Sequence, residues 1–114
     1  EAHDAALAAL GPGKPMNDLD SAVRKVVKAA DCERYAHGRF GYSLGLSFPP
    51  TWAQSLSINI VPGSDETFDP GVLFHVLVYL LEPATFGVAT SDTVLITETG
   101  FETLTKSPKA PIYI

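Results

Sequence analysis

The apolar positions change period near Arg39, and the change divides the chain into a helical first third and a strand-rich remainder. Residues 2 to 10, AHDAALAAL, are rich in Ala and Leu, both strong helix formers. Gly11, Pro12, Gly13 and Pro15 end that run in a turn. Beyond it, Leu19, Val23, Val26, Val27 and Ala30 recur at the i, i+4, i+7, i+8 spacing of an amphipathic helix. Asn17 or Asp18 can cap that helix, and Asp18 and Asp20 suit the positive end of its dipole. The first third is therefore predicted to be an αα-hairpin.

From Arg39 onward the pattern is that of strands. Tyr42 to Phe48 is a Gly-rich strand or turn region, and Leu56 to Val61 (LSINIV) alternates with β-branched residues. Val72 to Leu81 is nearly continuous in apolar residues, bounded by Pro70-Gly71 and Pro83, and reads as a strand buried on both faces. Thr93 to Thr97 is another strand, followed by a turn at Glu98-Thr99-Gly100, where Gly100 permits a positive φ. Phe101 to Thr105 closes the set, and Pro62 to Pro70 is an exposed polar loop. The predicted class is α+β: two helices packed on a curved, mainly antiparallel sheet.

Composition narrows the functional classes. With 114 residues the chain is one domain, and 46% hydrophobic against 18% charged residues imply a folded globule. A net charge of −5 with scattered basic residues argues against nucleic acid as a partner. Arg24, Lys25 and Lys28 alone lie close together, and a solvated helix face is expected for them. Cys32 is the single cysteine, so neither an internal disulfide nor a zinc motif is available, and a reducing cytoplasm is the expected compartment. No apolar run of 18 residues exists to span a membrane as a helix, and no signal peptide is evident at the start. The chain starts at Glu1 rather than Met, so it is expected to begin inside a longer protein.

Several blocks carry a family likeness. "LAALGPGKPMNDLDSAV", "FGYSLGL" (Phe40 to Leu46), "FDPGVLFHV" (Phe68 to Val76) and "SDTVLITETGFETLT" (Ser91 to Thr105) occur in this order. Together they resemble the second half of the methionine aminopeptidase, prolidase and creatinase superfamily. The last block is the most specific, because so many positions match in one uninterrupted run. The resemblance implies that residues 1–114 form the C-terminal half of a pita-bread catalytic domain, with the N-terminal half and its Asp-x-Asp metal segment absent.

The same resemblance speaks to the chemistry. Family members hold two divalent ions with Asp, His and Glu ligands, and those cations require such donors. At the matching positions the family His falls on Tyr42, the first Glu on Leu77 and the second Glu on Ser91. A further His-Glu pair falls on Pro49 and Pro50. The resemblance thus implies no metal and no other cofactor in this half. "RFGYSLGLSFPPTW", with "GVLFH" and "SDT", is similar to ectoine-hydrolase-like and Xaa-Pro-peptidase-like members, although Gln54 stands where an acidic residue is usual.

Five residues are the candidates for a site. His75, inside the apolar run, titrates near neutrality and can act as base or acid; a core His with one hydrogen bond is the alternative. By strand alternation it shares a face with Leu73, Leu77 and Tyr79. Tyr42 is expected to point into the former metal cleft, or else to pack beside a Gly-rich strand. Asp92, next to Ser91, completes the catalytic candidates by orienting a neighbouring side chain, or else caps a turn. Arg39 can clamp a substrate carboxylate, with a surface salt bridge as its alternative, and Trp52 offers an aromatic wall or a loop anchor. His37 and Glu98 read as an exposed loop His and a structural turn residue.

Three functions follow as expectations. The first is a fragment of a hydrolase acting, without metal, on a C–N bond of a small amino-acid-like or dipeptide-like substrate, inactive as a fragment. The second is a catalytically dead pita-bread pseudoenzyme that binds a ligand or protein. The third is a small protein that dimerises with itself, because a half-sheet leaves apolar surface and an open edge.

Overall fold

In a computed structural model, residues 1–47, 53, 58–108 and 110 are described. Two helices, α1 (Ala2–Ala8) and α2 (Met16–Ala29), pack together and cover one face of a five-stranded antiparallel sheet. The strands are β1 (Gly41–Leu44), β2 (Asn59–Ile60), β3 (Leu73–Glu82), β4 (Phe86–Ile96) and β5 (Phe101–Thr103), in the spatial order β2-β1-β3-β4-β5. A single turn of 3-10 helix at Glu33–Tyr35 links α2 to β1. Among the described residues no helix is long and apolar enough to cross a membrane.

The predicted hairpin of helices is present, and Leu19, Val23 and Val27 of α2 are buried as its stripe requires. They meet Phe40, Ile60, Phe74, Val76, Val78, Val94 and Ile96 of the sheet in one core. The capping differs from expectation. Pro15 occupies the N-cap, where its fixed φ starts the helix, and the Asn17 side chain instead accepts the Gly63 N–H at 2.8 Å. Arg24 also departs from the expected solvated face. Asp20 is buried, so its charge needs a partner, and Arg24 grips it with two hydrogen bonds of 2.7 and 3.2 Å.

Strand β3 forms where the apolar run predicts it, but it is buried on one face only. Phe74, Val76 and Val78 lie under the helices, while Leu73, His75 and Leu77 on the other face are half-buried. The reason is that among the described residues the helices form one layer, and it covers one side. Strand β4 extends seven residues further back than the TVLIT pattern implies, because a tight turn at Pro83 to Thr85 lets it pair along the whole of β3. The Pro62 to Pro70 loop is exposed for most of its length, yet Phe68 is fully buried against Phe74. Backbone bonds from Gly13 and Met16 to the Phe68 and Glu66 carbonyls fasten that loop to the start of α2. The turn after β4 closes through the Thr97 N–H on the Gly100 carbonyl, and Gly100 does not use a positive φ.

Candidate active site

Strand alternation sorts the sheet residues onto two faces. The open face carries Tyr42 and Leu44 from β1, Leu73, His75, Leu77 and Tyr79 from β3, and Ser91, Thr93 and Leu95 from β4. The register then aligns Asn59, Tyr42, His75 and Thr93 as one rung across four strands. His75 accordingly shares its face with Leu73, Leu77 and Tyr79, as alternation along β3 predicts.

Three candidates come together on that rung. The Tyr42 hydroxyl lies 2.9 Å from His75 Nδ1, and the two rings meet edge to face at 5.1 Å between centroids. The Arg39 guanidinium stacks over the Tyr42 ring at 4.5 Å, and its Nη1 donates to Asn59 Oδ1 at 2.6 Å. Gly41 makes this approach possible. A Cβ there would stand 2.7 Å from the His75 carbonyl oxygen and 2.7 Å from Ile60 Cδ1, so only glycine lets β1 lie this close. Partial burial penalises the charged imidazole and pushes the His75 pKa below its ordinary 6.5. With Nδ1 engaged by Tyr42, Nε2 is the ring nitrogen without a partner among the described residues. When the Tyr42 oxygen accepts from Nδ1–H, Nε2 keeps a lone pair and can take a proton.

Asp92 does not join this group, which corrects its place among the catalytic candidates. It pairs with Val76, a residue of the buried row, and so points under the helices, where only 2% of it is exposed. Its neighbour there is His3 of α1, with Nε2 at 3.4 Å from Asp92 Oδ2. Trp52 lies outside the described residues, as do Pro49 and Pro50. His37 is exposed, as expected of a loop residue. Asn59 is the member of the cluster that sequence reasoning missed. Its one signal was a lone amide inside the alternating LSINIV run.

Tyr42, Leu77 and Ser91 all lie on the open face, the last two directly paired. None of these side chains is a carboxylate or an imidazole. Among the described residues, no group of three or more His, Cys, Asp or Glu is placed to hold a metal ion.

Comparison with known proteins places this geometry in a family. The profile of metallopeptidase family M24 matches residues 1–98. The chain belongs to metallopeptidase family M24. It is 30% identical to an ectoine hydrolase of Halomonas elongata over 98 residues, which is 86% of the chain and 24% of that protein. It is also 30% identical to an Xaa-Pro dipeptidase of Lactobacillus helveticus over 112 residues, 96% of the chain and 28% of that protein. The crystallised prolidase of Pyrococcus furiosus superposes with a TM-score of 0.84 at 28% identity, covering 95% of the chain and 30% of its own. Two helices on an open antiparallel sheet are thus the pita-bread architecture of M24 prolidases, as the motif resemblance implies. The chain spans about a quarter of the length of the curated M24 relatives it matches.

Proposed function

We propose that the chain is part of an M24 hydrolase that cleaves a C–N bond of a small amino-acid-like substrate, using side chains rather than a dinuclear metal centre. The observation that carries this reading is the Tyr42–His75 contact on the open face of the sheet. It is supported by the donor chemistry at the positions that match the family's ligands. A phenol, an alkyl chain and an alcohol do not fit divalent cations that need carboxylate and imidazole donors. Relatives named ectoine hydrolase and Xaa-Pro dipeptidase supply the class of substrate to test.

The chemistry follows from His75. Its lowered pKa keeps the imidazole neutral near pH 7, the state a base requires. Nε2 takes a proton from water as the water oxygen bonds to the electrophilic carbon of the scissile C–N group, a carbonyl or amidine carbon. The C–N bond then breaks, and the imidazolium returns the proton to the departing nitrogen. One water is consumed and His75 ends as it began. Tyr42 acts by holding Nδ1, which selects the tautomer and fixes the ring plane.

The test is turnover of ectoine and of Xaa-Pro dipeptides by the full-length protein that carries this chain, compared with its His75→Gln variant. We expect the substitution to lower kcat by about 10²- to 10⁴-fold, the usual worth of a general base, with KM little changed. A variant within twofold of the wild type would contradict the role of His75. Saturable binding by the wild type with no turnover would instead make the protein a pseudoenzyme that serves as a binding module.

A further inference from the structure

We propose that Arg24 is a positioning residue of this site: from helix α2 it holds the Gly38 carbonyl and so fixes where β1 places Tyr42 against His75. The inference rests on the reading of His75 as the hydrolytic base and adds a residue that acts on it through Tyr42.

Strand β1 is weakly specified by its own backbone. It is four residues long, and Gly38 and Gly41 bracket Arg39 and Phe40 at its entry. Gly38 has φ at +75°, in the left-handed region that glycine enters freely. A short strand entered this way needs an anchor outside its ladder, and Arg24 supplies one. Its Nη2 donates to the Gly38 carbonyl at 3.1 Å, and its guanidinium lies over the Phe40 ring at 4.9 Å. Phe40 is fully buried; its N–H donates to the Ile60 carbonyl and its own carbonyl accepts from the Leu77 N–H, both at 3.0 Å. The Tyr79 hydroxyl of β3 also packs on Gly38, where a Cβ would stand 2.5 Å from it. Gly38 to Phe40 are thus held by α2 and β3, and Tyr42 follows two residues later.

Stability alone does not account for the ion pair behind this anchor. The Asp20 side chain is 2% exposed and that of Arg24 33% exposed. A buried ion pair is often no more stabilising than apolar side chains of the same volume, because desolvation offsets the attraction. What the pair adds is direction. Asp20 takes Nε at 2.7 Å and Nη2 at 3.2 Å, which fixes the plane of the guanidinium. Nη2, with two N–H groups, has a second donor for Gly38. Apolar side chains could fill the same space but could not donate to a carbonyl. Asp20 aims the fork, and the fork holds the strand entry.

The experiment replaces the pair with apolar side chains, Asp20→Leu together with Arg24→Met, in the full-length protein, with Arg24→Lys as a second variant. Three quantities are read: the urea midpoint, the titration midpoint of His75 by NMR of histidine-labelled protein, and kcat and KM on ectoine and Xaa-Pro dipeptides. The His75→Gln protein assigns the His75 signal. We expect the double variant to keep the wild-type urea midpoint or exceed it. Its His75 midpoint should nevertheless move up toward 6.5, as β1 loosens and the imidazole gains water. Its kcat should fall about 10- to 100-fold at nearly constant KM, the cost of misplacing a reacting group by about 1 Å. Arg24→Lys keeps the charge on Asp20 but lacks the planar fork, and should show the same changes in smaller measure. An unmoved His75 midpoint or an unchanged kcat in the double variant would overturn the proposal, and so would an Arg24→Lys protein indistinguishable from the wild type. If the double variant does not fold, Arg24→Lys decides by the same readings. Absence of turnover in the wild type sinks the hydrolase reading alone, since the His75 titration still reports on β1. Wild-type turnover with an unmoved titration in the variants sinks this inference alone.

Discussion

At the Tyr42–His75 contact a phenol oxygen and a ring nitrogen lie 2.9 Å apart in a half-buried setting, and the burial governs how the imidazole titrates. Burial disfavours the imidazolium, so the folded-state pKa lies below 6.5. With the neutral ring as the proposed base, kcat/KM should rise with pH, with the midpoint of its ascending limb below 6.5. A limb centred above 7 would contradict this. The same shift acts on stability: below about pH 6.5 the unfolded chain takes up the proton first, so the folded state loses stability as the pH falls toward the folded pKa. Tyr42→Phe keeps the ring under Arg39 but removes the hydroxyl, and should lower kcat about tenfold through lost orientation of His75, leaving KM nearly unchanged. Both residues were legible in the sequence as candidates. Their meeting was not, because it depends on a pairing between β1 and β3 across 33 positions of chain.

Among the elements, β1 is the one whose position sets the site. It is four residues long and carries Tyr42 outward while Gly41 and Ser43 face inward. Gly41→Ala would drive a methyl into the His75 carbonyl and the Ile60 side chain. We expect a loss of about 1–3 kcal/mol, the usual cost of overpacking, read from urea unfolding of the full-length protein. An unchanged midpoint would show that β1 can move away freely. Strand β3 was legible because its apolar run is continuous, but not its one-sided burial, since periodicity cannot report how many layers cover a sheet. The first half of β4 was not legible. Gly87 to Ser91 is exposed and lacks an apolar period, and it is a strand because β3 pairs with it. The face of Asp92 was not legible for a related reason. Alternation along β3 gave the face of His75, but the face of Asp92 follows only from its pairing with Val76.

For the molecule as a whole, one helical layer over an open sheet leaves Tyr42 and His75 on the face opposite the helices, with Leu81, Phe86 and Val88 exposed along the β3–β4 hairpin. The architecture and the M24 family were legible because the motif blocks are contiguous and mark turns and strand ends that any member must build. Substrate and assembly belong to the full-length protein, of which relatives are about four times as long. The central claim is that side chains, not metal ions, activate water at the Tyr42–His75 rung. Turnover by the full-length protein on ectoine and Xaa-Pro dipeptides, measured before and after exhaustive chelation and again after adding Mn or Co, tests it most directly. We expect the three rates to agree within about twofold, since the proposed mechanism routes no step through a bound cation. Loss of activity on chelation, restored by Mn or Co, would contradict it.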